Sequence, residues 1–193
     1  MSVKLDGISK SFNGVNVLSR FSHTFQSGTL TAVTGPSGSG KTTLLRIIAG
    51  LEKADGGTVR IDGGGRVSMV FQDDRLLPGK TAFENVAAVT DKKNAALWLE
   101  KVRLADASDL FPRELSGGMK RRAAVARALA FGGDVLLLDE PFAGLDPQLR
   151  ADIFGLISDA SKNACVILVT HYMDIAAQCA FHVALRPANP TAP

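Results

Sequence analysis

The sequence predicts an α/β fold in which helices pack on a mainly parallel sheet. Short apolar runs such as "RVSMVFQ" (66–72), "VLLLD" (135–139) and "ACVILV" (164–169) have the length and composition of buried strands. Segments with helical spacing lie between these runs, and strands that alternate with helices are typical of a parallel sheet. The chain has 193 residues, of which 46% are hydrophobic, so it is long enough for one domain with a full core.

The N-terminal part departs from this alternation. Residues 2–34 alternate and turn as a small antiparallel sheet does, with the turn "NG" at 13–14. A helix is predicted at 41–51, closed by Gly50 or by the turn after it. The run 56–64 then predicts a short strand between glycine turns, and residues 66–72 predict a buried strand.

The composition changes again at residue 73. The runs "TAFENVAAV" (81–89) and "NAALWLEKVRL" (94–104) carry helical spacing, and no strand-like run separates them. Residues 73–114 therefore predict an inserted, mainly helical subdomain between the core segments 1–72 and 115–193, all within one domain, 1–193. Further helices are predicted at 116–130, 147–161 and 173–180, strands at 135–139, 164–171 and 181–187, and a frayed tail at 187–193.

Charge, cysteine content and hydropathy restrict the function classes. The net charge of +3 arises from 22 basic and 19 acidic residues, which is too small an excess to indicate nucleic-acid binding. Cys165 and Cys179 lack a C-x-x-C partner, so we expect two reduced thiols in a reducing compartment. The start lacks the apolar core of a signal peptide, and no apolar run reaches bilayer length. We therefore expect a cytoplasmic protein that serves a membrane only through a partner.

The stretch "GPSGSGKT" (35–42) predicts a phosphate-binding loop. It follows an apolar strand and opens a helix, which is the context that the pattern G-x-x-x-x-G-K-[ST] requires. Glycines let successive backbone N–H groups point at phosphate oxygens, and the helix N-terminus adds a positive end. Lys41 should reach the β- and γ-phosphates, and Thr42 should hold Mg²⁺.

The run "VLLLDE" (135–140) predicts the second half of a nucleotide site. A buried strand there delivers acids to its carboxyl end, where ligands bind in such sheets. Asp139 would fix Mg²⁺, and Glu140 would orient or deprotonate the water that attacks the γ-phosphate.

A second anion-binding element is predicted at "LSGGMKRR" (115–122). Ser116, Gly117 and Gly118 open a helix, whose N-terminus favours an anion. One nucleotide does not need two such elements on separate segments. A head-to-tail pair of chains would use both, with each ATP held between the loop of one chain and the "SGG" of the other.

Together these motifs resemble those of the ATP-binding-cassette (ABC) ATPases, over about residues 2–186. The run 115–129 resembles their signature motif, "GPSGSGKTT" (35–43) their Walker A loop, and "VLLLDEPFAGLD" (135–146) their Walker B strand and D-loop. Gln72 resembles the Q-loop glutamine, His171 the switch histidine and Phe12 the aromatic that stacks on adenine. The resemblance implies a P-loop NTPase parallel-sheet core with an N-terminal antiparallel β-subdomain and an inserted helical subdomain.

The resemblance also implies roles for single residues. Phe12 would stack on the base, Glu140 and His171 would act on the attacking water and the γ-phosphate, and Asp146 would lie at the dimer interface. Mg²⁺ would be served by Thr42, Gln72 and Asp139, and Gln72 would also be a catalytic residue that senses the membrane partner. Ser116, Gly117 and Gly118 would contact the partner's ATP. Contacts with phosphate are expected from Gly35, Pro36, Ser37, Gly38, Ser39, Gly40, Lys41, Thr42 and Thr43.

Within this family, residues 69–87 resemble the Q-loop region of bacterial importer ATPases for nitrate, taurine and other sulfonates. Residues 73–86 would then form the groove that receives a coupling helix from a membrane permease, and an external solute-binding protein would complete the complex. The chain departs from the family pattern at Tyr172, where Asp is usual, at Asp55, where Pro is common, and at Gly79, where the importer group often has Trp.

Two other functions stay open at this point. The first is the ATPase of an exporter or a lipid-handling complex, from which the 73–86 groove distinguishes an importer only weakly. The second is a soluble P-loop protein such as a nucleotide kinase or a DNA-repair ATPase. The chain shows no acceptor-nucleotide site or lid for the former, and its 73–114 insertion is too short for the coiled coil of the latter. Glu140 and His171 argue against a degenerate, non-hydrolysing cassette.

Overall fold

A five-stranded parallel sheet forms the centre of the computed structural model, which describes residues 2–188. The strand order is β5-β6-β7-β3-β8, so consecutive strands are joined by crossovers as the sequence predicts. The strands are β3 (Thr29–Thr34), β5 (Val67–Val70), β6 (Val135–Asp139), β7 (Cys165–Val169) and β8 (Phe181–Ala184).

The inner strands β6 and β7 bury both of their faces. In β6, Leu136 and Leu138 face one hydrophobic core, while Val135 and Leu137 face a second core on the opposite side. All five residues of β7 are buried as well. Strands in this environment are continuous apolar runs in the sequence, which is why hydropathy alone identifies them.

A second, antiparallel sheet covers one side of this core. It has the order β2-β1-β4, with β1 (Ser2–Phe12), β2 (Val15–Gln26) and β4 (Gly56–Ile61). The prediction that residues 2–34 form this sheet by themselves is therefore wrong for its last segment. Strand β3 pairs with β7 and β8 in the parallel sheet, and β4 pairs with β1 instead.

Helices occupy the remaining faces. Helix α1 (Lys41–Ile48) buries Leu44, Leu45, Ile47 and Ile48 against the core shared with the antiparallel sheet. The others are α2 (Ala82–Ala87), α3 (Lys92–Lys101), α4 (Gly117–Phe131), α5 (Pro147–Ser161) and the short α6 (Met173–Ala176). Single 3₁₀ turns lie at Asp62–Gly64, Ala105–Ala107 and Pro112–Glu114.

The predicted helical insertion contains α2 and α3, and both pack on α4. Val86 of α2, Leu99 of α3 and Val125 of α4 belong to the same core as Leu138 of the parallel sheet. The division into 1–72 with 115–193 and 73–114 stays a prediction, because α4 belongs to the packing of both parts. The predicted tail at 187–193 lies mostly outside the described residues.

No helix within residues 2–188 is both long enough and apolar enough to cross a bilayer.

Candidate nucleotide-binding site

A cavity of about 500 Å³ opens at the carboxyl ends of β3, β6 and β7. This is the edge at which ligands bind in open α/β sheets. Most of the predicted site residues line it: Gly35, Ser37, Gly38, Gly40, Lys41, Thr42, Thr43, Gln72, Asp139, Glu140 and His171. The fold therefore brings together residues from four motifs that lie up to 136 positions apart in the chain.

The loop between β3 and α1 packs so closely against neighbouring residues that glycine is required at two positions. A Cβ at Gly35 would lie 2.4 Å from the carbonyl oxygen of Leu185, and one at Gly40 would lie 2.9 Å from a methyl of Leu18. Both glycines have a positive φ, as does Gly38. The loop therefore turns into α1 with its backbone N–H groups available to an anion.

Lys41 lies across this loop. Its ammonium donates hydrogen bonds to the carbonyl oxygens of Gly35 at 2.8 Å and Pro36 at 2.9 Å. Lys41 also lines the cavity, so the ammonium and the N-terminus of α1 supply positive charge to the same space. Ser39 is fully buried, and its hydroxyl has no hydrogen-bond partner among the described residues.

Asp139 contributes a buried carboxylate to the lining of the same cavity. It is 1% exposed, and its Oδ2 has no hydrogen-bond partner among residues 2–188. Burial raises the pKa of Asp139, and a hydrogen bond with Thr42 and the charges of Arg46 and Lys41 offset this only in part. A buried carboxylate with one oxygen unpaired, beside a hydroxyl, is a donor set that suits a hard cation such as Mg²⁺.

The described residues include no group of three His, Cys, Asp or Glu side chains that could hold a metal ion by themselves. A cation at Asp139 would therefore need Thr42, Gln72, water or phosphate oxygens as further ligands. Mg²⁺ is commonly held in this way, through one or two carboxylates and the phosphates of a substrate. The residues present thus fit the predicted ion.

Glu140 and His171 form a pair at the mouth of the cavity. The Nδ1 of His171 lies 2.9 Å from Oε2 of Glu140, and the backbone N–H of His171 donates to the same oxygen at 3.4 Å. Glu140 itself has a φ of +51°, and its N–H donates to the carbonyl of Val169. This left-handed backbone of a non-glycine residue costs about 1–2 kcal/mol, and it turns the side chain from the strand into the cavity.

Tyr172 packs against this pair from behind. Its ring centroid lies 4.1 Å from that of His171, and the guanidinium of Arg150, on α5, lies 4.1 Å from the centre of the tyrosine ring. The ring also meets Phe142 edge-on at 6.4 Å. Tyr172 departs from the family pattern, and its aromatic ring therefore supports the imidazole of His171.

Four predicted residues lie on a different surface. Ser116, Gly117, Gly118 and Asp146 do not line the cavity. Ser116 and Asp146 are exposed and cap the first turns of α4 and α5, with their side chains accepting from the N–H groups of Met119 and Leu149. A Cβ at Gly118 would lie 2.9 Å from the carbonyl of Gly144, so the two segments adjoin.

Phe12 and Pro36 are also outside the cavity lining. Phe12 ends β1, is 43% exposed and lies under the ammonium of Lys10 at 5.0 Å. Its stacking on a base stays a prediction. Conversely, Val17 and Val169 line the cavity although no motif selects them, because both are ordinary apolar strand residues.

The model of the family described as "ABC transporter" matches residues 18–143. The chain belongs to this family. The matched segment contains the phosphate loop, Gln72, the glycines after Ser116 and the acids that end β6, whereas Phe12, Asp146 and His171 lie outside it. The resemblance inferred from the motifs is thereby confirmed.

Curated members of the ABC transporter family are similar along nearly the whole chain. An aliphatic sulfonates import ATP-binding protein of Rhodococcus jostii is 41% identical over 95% of this chain and 70% of its own length. A second such protein, of Bacillus cereus, is 38% identical over 98% of this chain and 83% of its own. A probable sulfate/thiosulfate import ATP-binding protein of Chlorella vulgaris is 37% identical, with coverages of 96% and 87%.

Solved ABC cassettes have the same fold. The dimeric structure of a bacterial ABC transporter cassette superimposes with a TM-score of 0.90 at 28% identity, over 95% of this chain and 94% of that one. A dimeric cassette in a post-hydrolysis state, bound to ADP and Pi, gives a TM-score of 0.88 at 29% identity with the same coverages. The predicted P-loop NTPase fold is confirmed, and the chain is an ABC-type subunit that binds and hydrolyses ATP.

Proposed function

We propose that this protein is the ATPase subunit of an ABC importer, in which two cassettes close on two ATP molecules and drive a separate permease. The observation that carries the proposal is the presence on one chain of two separate surfaces suited to an anion. The loop at 35–43 opens into the cavity, whereas the N-terminus of α4 at 116–118 lies outside it. Two chains arranged head to tail would use both surfaces at each ATP.

Phosphoryl transfer depends on positioning and on neutralisation of charge, and the cavity offers both. Lys41 and the loop N–H groups would bind the phosphates. Thr42, Gln72 and Asp139 would hold Mg²⁺, which when bound neutralises charge that develops on the phosphate oxygens. The Asp139 carboxylate is already buried in place, so little reorganisation is needed to receive the ion.

Glu140 would take the proton of the attacking water, or orient that water. In the structure its Oε2 is shared with the imidazole and the N–H of His171, so His171 would have to release the carboxylate or move with it when a γ-phosphate is present. The Tyr172 ring would then limit how far the imidazole can turn.

Dimerisation would add Ser116, Gly117, Gly118 and Asp146 from the second chain. The contact of Gly118 with Gly144 keeps the α4 N-terminus beside the segment that leads to Asp146. Both parts of this surface would therefore approach the partner's nucleotide together. The dimeric cassettes with the same fold support this arrangement.

The permease would dock on residues 73–86. Residues 73–80 form an exposed connection without regular structure, and Leu77 is 42% exposed there. The buried amide of Asn85 shapes this segment, since it donates to the carbonyls of Leu77, Lys80 and Thr81 and accepts from the N–H of Leu77. A loop fixed in this way presents a preformed surface to a partner.

The names of the relatives support an importer of sulfonates or of related sulfur oxyanions. An external solute-binding protein would deliver the solute to the permease. The subunit itself would sit in the cytoplasm on the inner face of the membrane, held there by the permease. It would not contact the solute, and we propose no nucleic-acid partner.

The mass of the Glu140→Gln variant in solution, with and without ATP, tests the arrangement. We expect a monomer without nucleotide and a dimer with ATP, because the variant should bind ATP without hydrolysing it. A monomer that still binds ATP in the presence of the permease would contradict the head-to-tail dimer. Hydrolysis at the full rate would remove Glu140 from its proposed role.

Ser116→Arg tests the second surface. A long cation at the exposed start of α4 should abolish hydrolysis and leave ATP binding by the single chain intact. Gly155→Arg is the matched control, because that position on α5 has open space around it and lies outside both surfaces. Loss of ATP binding in Ser116→Arg alone would show instead that residues 116–118 serve their own chain's nucleotide.

A further inference from the structure

The segment that carries Gln72 has no secondary structure of its own. Strand β5 ends at Val70, and residues 71–80 belong to no helix or strand. Gln72 nevertheless lines the nucleotide cavity, so its position depends on what holds the surrounding peptides. The structure shows that helix α4 holds them.

Arg121 makes the first set of contacts. Its guanidinium donates to the carbonyl oxygens of Phe71 at 2.6 Å and Gln72 at 2.5 Å, and its Nε lies 3.2 Å from Oδ1 of Asp74 as an ion pair. The Arg121 side chain is only 8% exposed and that of Asp74 is 20% exposed. A buried guanidinium is stable only when hydrogen-bond acceptors and an opposite charge surround it. Segment 71–74 supplies two carbonyl acceptors and one carboxylate.

Arg127 makes the second set, six residues further along the same helix. It donates to the carbonyls of Arg75 at 3.0 Å and Asp74 at 3.3 Å. Six residues advance about 9 Å along an α-helix, which is close to the length of three extended residues. The two arginines together bind four carbonyls within 71–75, and the segment runs alongside α4.

This contact joins two parts of the proposed mechanism. The N-terminus of α4 carries Ser116, Gly117 and Gly118, and Arg121 follows within the next turn. The helix that would receive the partner's nucleotide thus also fixes the backbone at this chain's own nucleotide. Removal of Arg121 would free the Gln72 peptide and leave Asp74 buried without its charge partner.

We propose that Arg121 is a positioning residue for ATP hydrolysis, which acts by holding the Gln72 peptide so that the Gln72 side chain meets the nucleotide-bound cation, with Arg127 fixing the peptides that follow. The proposal rests on the proposed function, because it takes Gln72 as a ligand of Mg²⁺.

The test measures binding of the β,γ-imido analogue of ATP, once with Mg²⁺ and once with EDTA. For Arg121→Gln we expect about a tenfold loss of affinity with Mg²⁺ and no more than about a twofold change with EDTA. The ATPase reaction should also require about tenfold more Mg²⁺ for half-maximal rate. A fold defect alone would weaken binding under both conditions.

Arg122→Gln is the matched control. Arg122 is the next residue of the same helix, and it also donates to two backbone carbonyls, those of Val102 and Arg103. These lie after α3, away from Gln72, so we expect the dependence on Mg²⁺ to be unchanged. An equal change in both variants would overturn the proposal.

A double-mutant comparison tests the route through Gln72. Gln72→Ala should reproduce the loss seen with Mg²⁺, and Arg121→Gln added to Gln72→Ala should weaken binding no further. Additive losses would show that Arg121 does not act through Gln72. Arg121→Gln combined with Asp74→Asn removes both buried charges, and this pair keeps the test valid if the single variant unfolds.

Failure of this inference is distinguishable from failure of the proposed function. A wild-type chain that gains no affinity from Mg²⁺ would contradict the proposed function itself. A wild-type chain with the expected dependence on Mg²⁺, together with an Arg121→Gln variant that keeps it, would overturn only the role of Arg121. Restoration of affinity by Arg121→Lys to within about threefold of wild type would support the ion pair with Asp74 as part of the contact.

Discussion

Two glycines of the phosphate loop should differ sharply in their tolerance of a methyl group. Gly35 and Gly38 both have a positive φ, of +147° and +78°. Around Gly38, however, nothing lies within 4 Å of an added Cβ, whereas a Cβ at Gly35 would lie 2.4 Å from the carbonyl oxygen of Leu185. Gly38→Ala therefore isolates the cost of the backbone conformation, and Gly35→Ala adds a steric cost.

The magnitudes follow from these contacts. A left-handed conformation costs an alanine about 1–2 kcal/mol, so Gly38→Ala should weaken ATP binding or stability by about 5- to 30-fold in the equilibrium constant. The added Cβ at Gly35 would approach the carbonyl oxygen of Leu185 about 1.1 Å more closely than an ordinary contact of about 3.5 Å allows. Such overpacking costs a further ~1–3 kcal/mol. The expected total for Gly35→Ala is about 2–5 kcal/mol.

Leu185 cannot easily give way, because its N–H is hydrogen-bonded to the carbonyl of Thr34 at 2.8 Å. The strain must then appear either in the stability of the fold or in the affinity of a displaced loop. Calorimetric titration with ATP and thermal unfolding, measured on both variants, capture the two together. If Gly35→Ala kept both the wild-type affinity and the wild-type midpoint, the proposed close packing of the loop would be refuted.

Three further predictions concern single groups. Burial raises the pKa of Asp139 above its ordinary value of 3.8, so ionisation of this carboxyl destabilises the fold as pH rises. Asp139→Asn should therefore raise the unfolding temperature at pH 7 but not near pH 3. The same variant should lose the effect of Mg²⁺ on ATP binding. Burial raises the pKa of Cys165 and Cys179 to about 11, so at pH 8 iodoacetamide should label them only after the protein is unfolded. Phe12→Ala should weaken ATP binding by about 1–3 kcal/mol, if the ring stacks on the base, and leave unfolding unchanged because it is 43% exposed.

The cavity residues are predictable from the sequence because each belongs to a local pattern. The loop at 35–43, the acids after β6 and the histidine after β7 each follow an apolar strand, and parallel strands bring their carboxyl ends to one edge. These local patterns are also sufficient to indicate that the chain binds ATP.

The pairing of strands is harder to predict from the sequence. Both β3 and β4 are short apolar-containing runs bounded by glycines, and nothing local shows that β4 completes the antiparallel sheet while β3 enters the parallel one. Pairing partners are chosen by packing between residues distant in sequence, so hydrophobic periodicity cannot identify them.

The contacts of Arg121 with segment 71–74 and of Tyr172 with Arg150 escape prediction for the same reason. Arg121 lies 49 residues from Gln72, and in the sequence it is one of three consecutive basic residues after Met119. Charge runs usually mark solvated faces, yet here the middle residue is buried and its neighbours are not. Only the placement of α4 against the end of β5 distinguishes them.

These contacts restrict how the two proposed anion-binding surfaces can move. Arg121 ties α4 to the Gln72 segment, and Gly118 packs on the Gly144 peptide that precedes Asp146. A displacement of α4 toward a partner would therefore pull on the Gln72 segment and press on the approach to Asp146 at once. Because a closely packed contact transmits small shifts rather than absorbing them, closure of the dimer and alignment of the cation ligand should occur together. This coupling would let hydrolysis proceed only when both chains are in place.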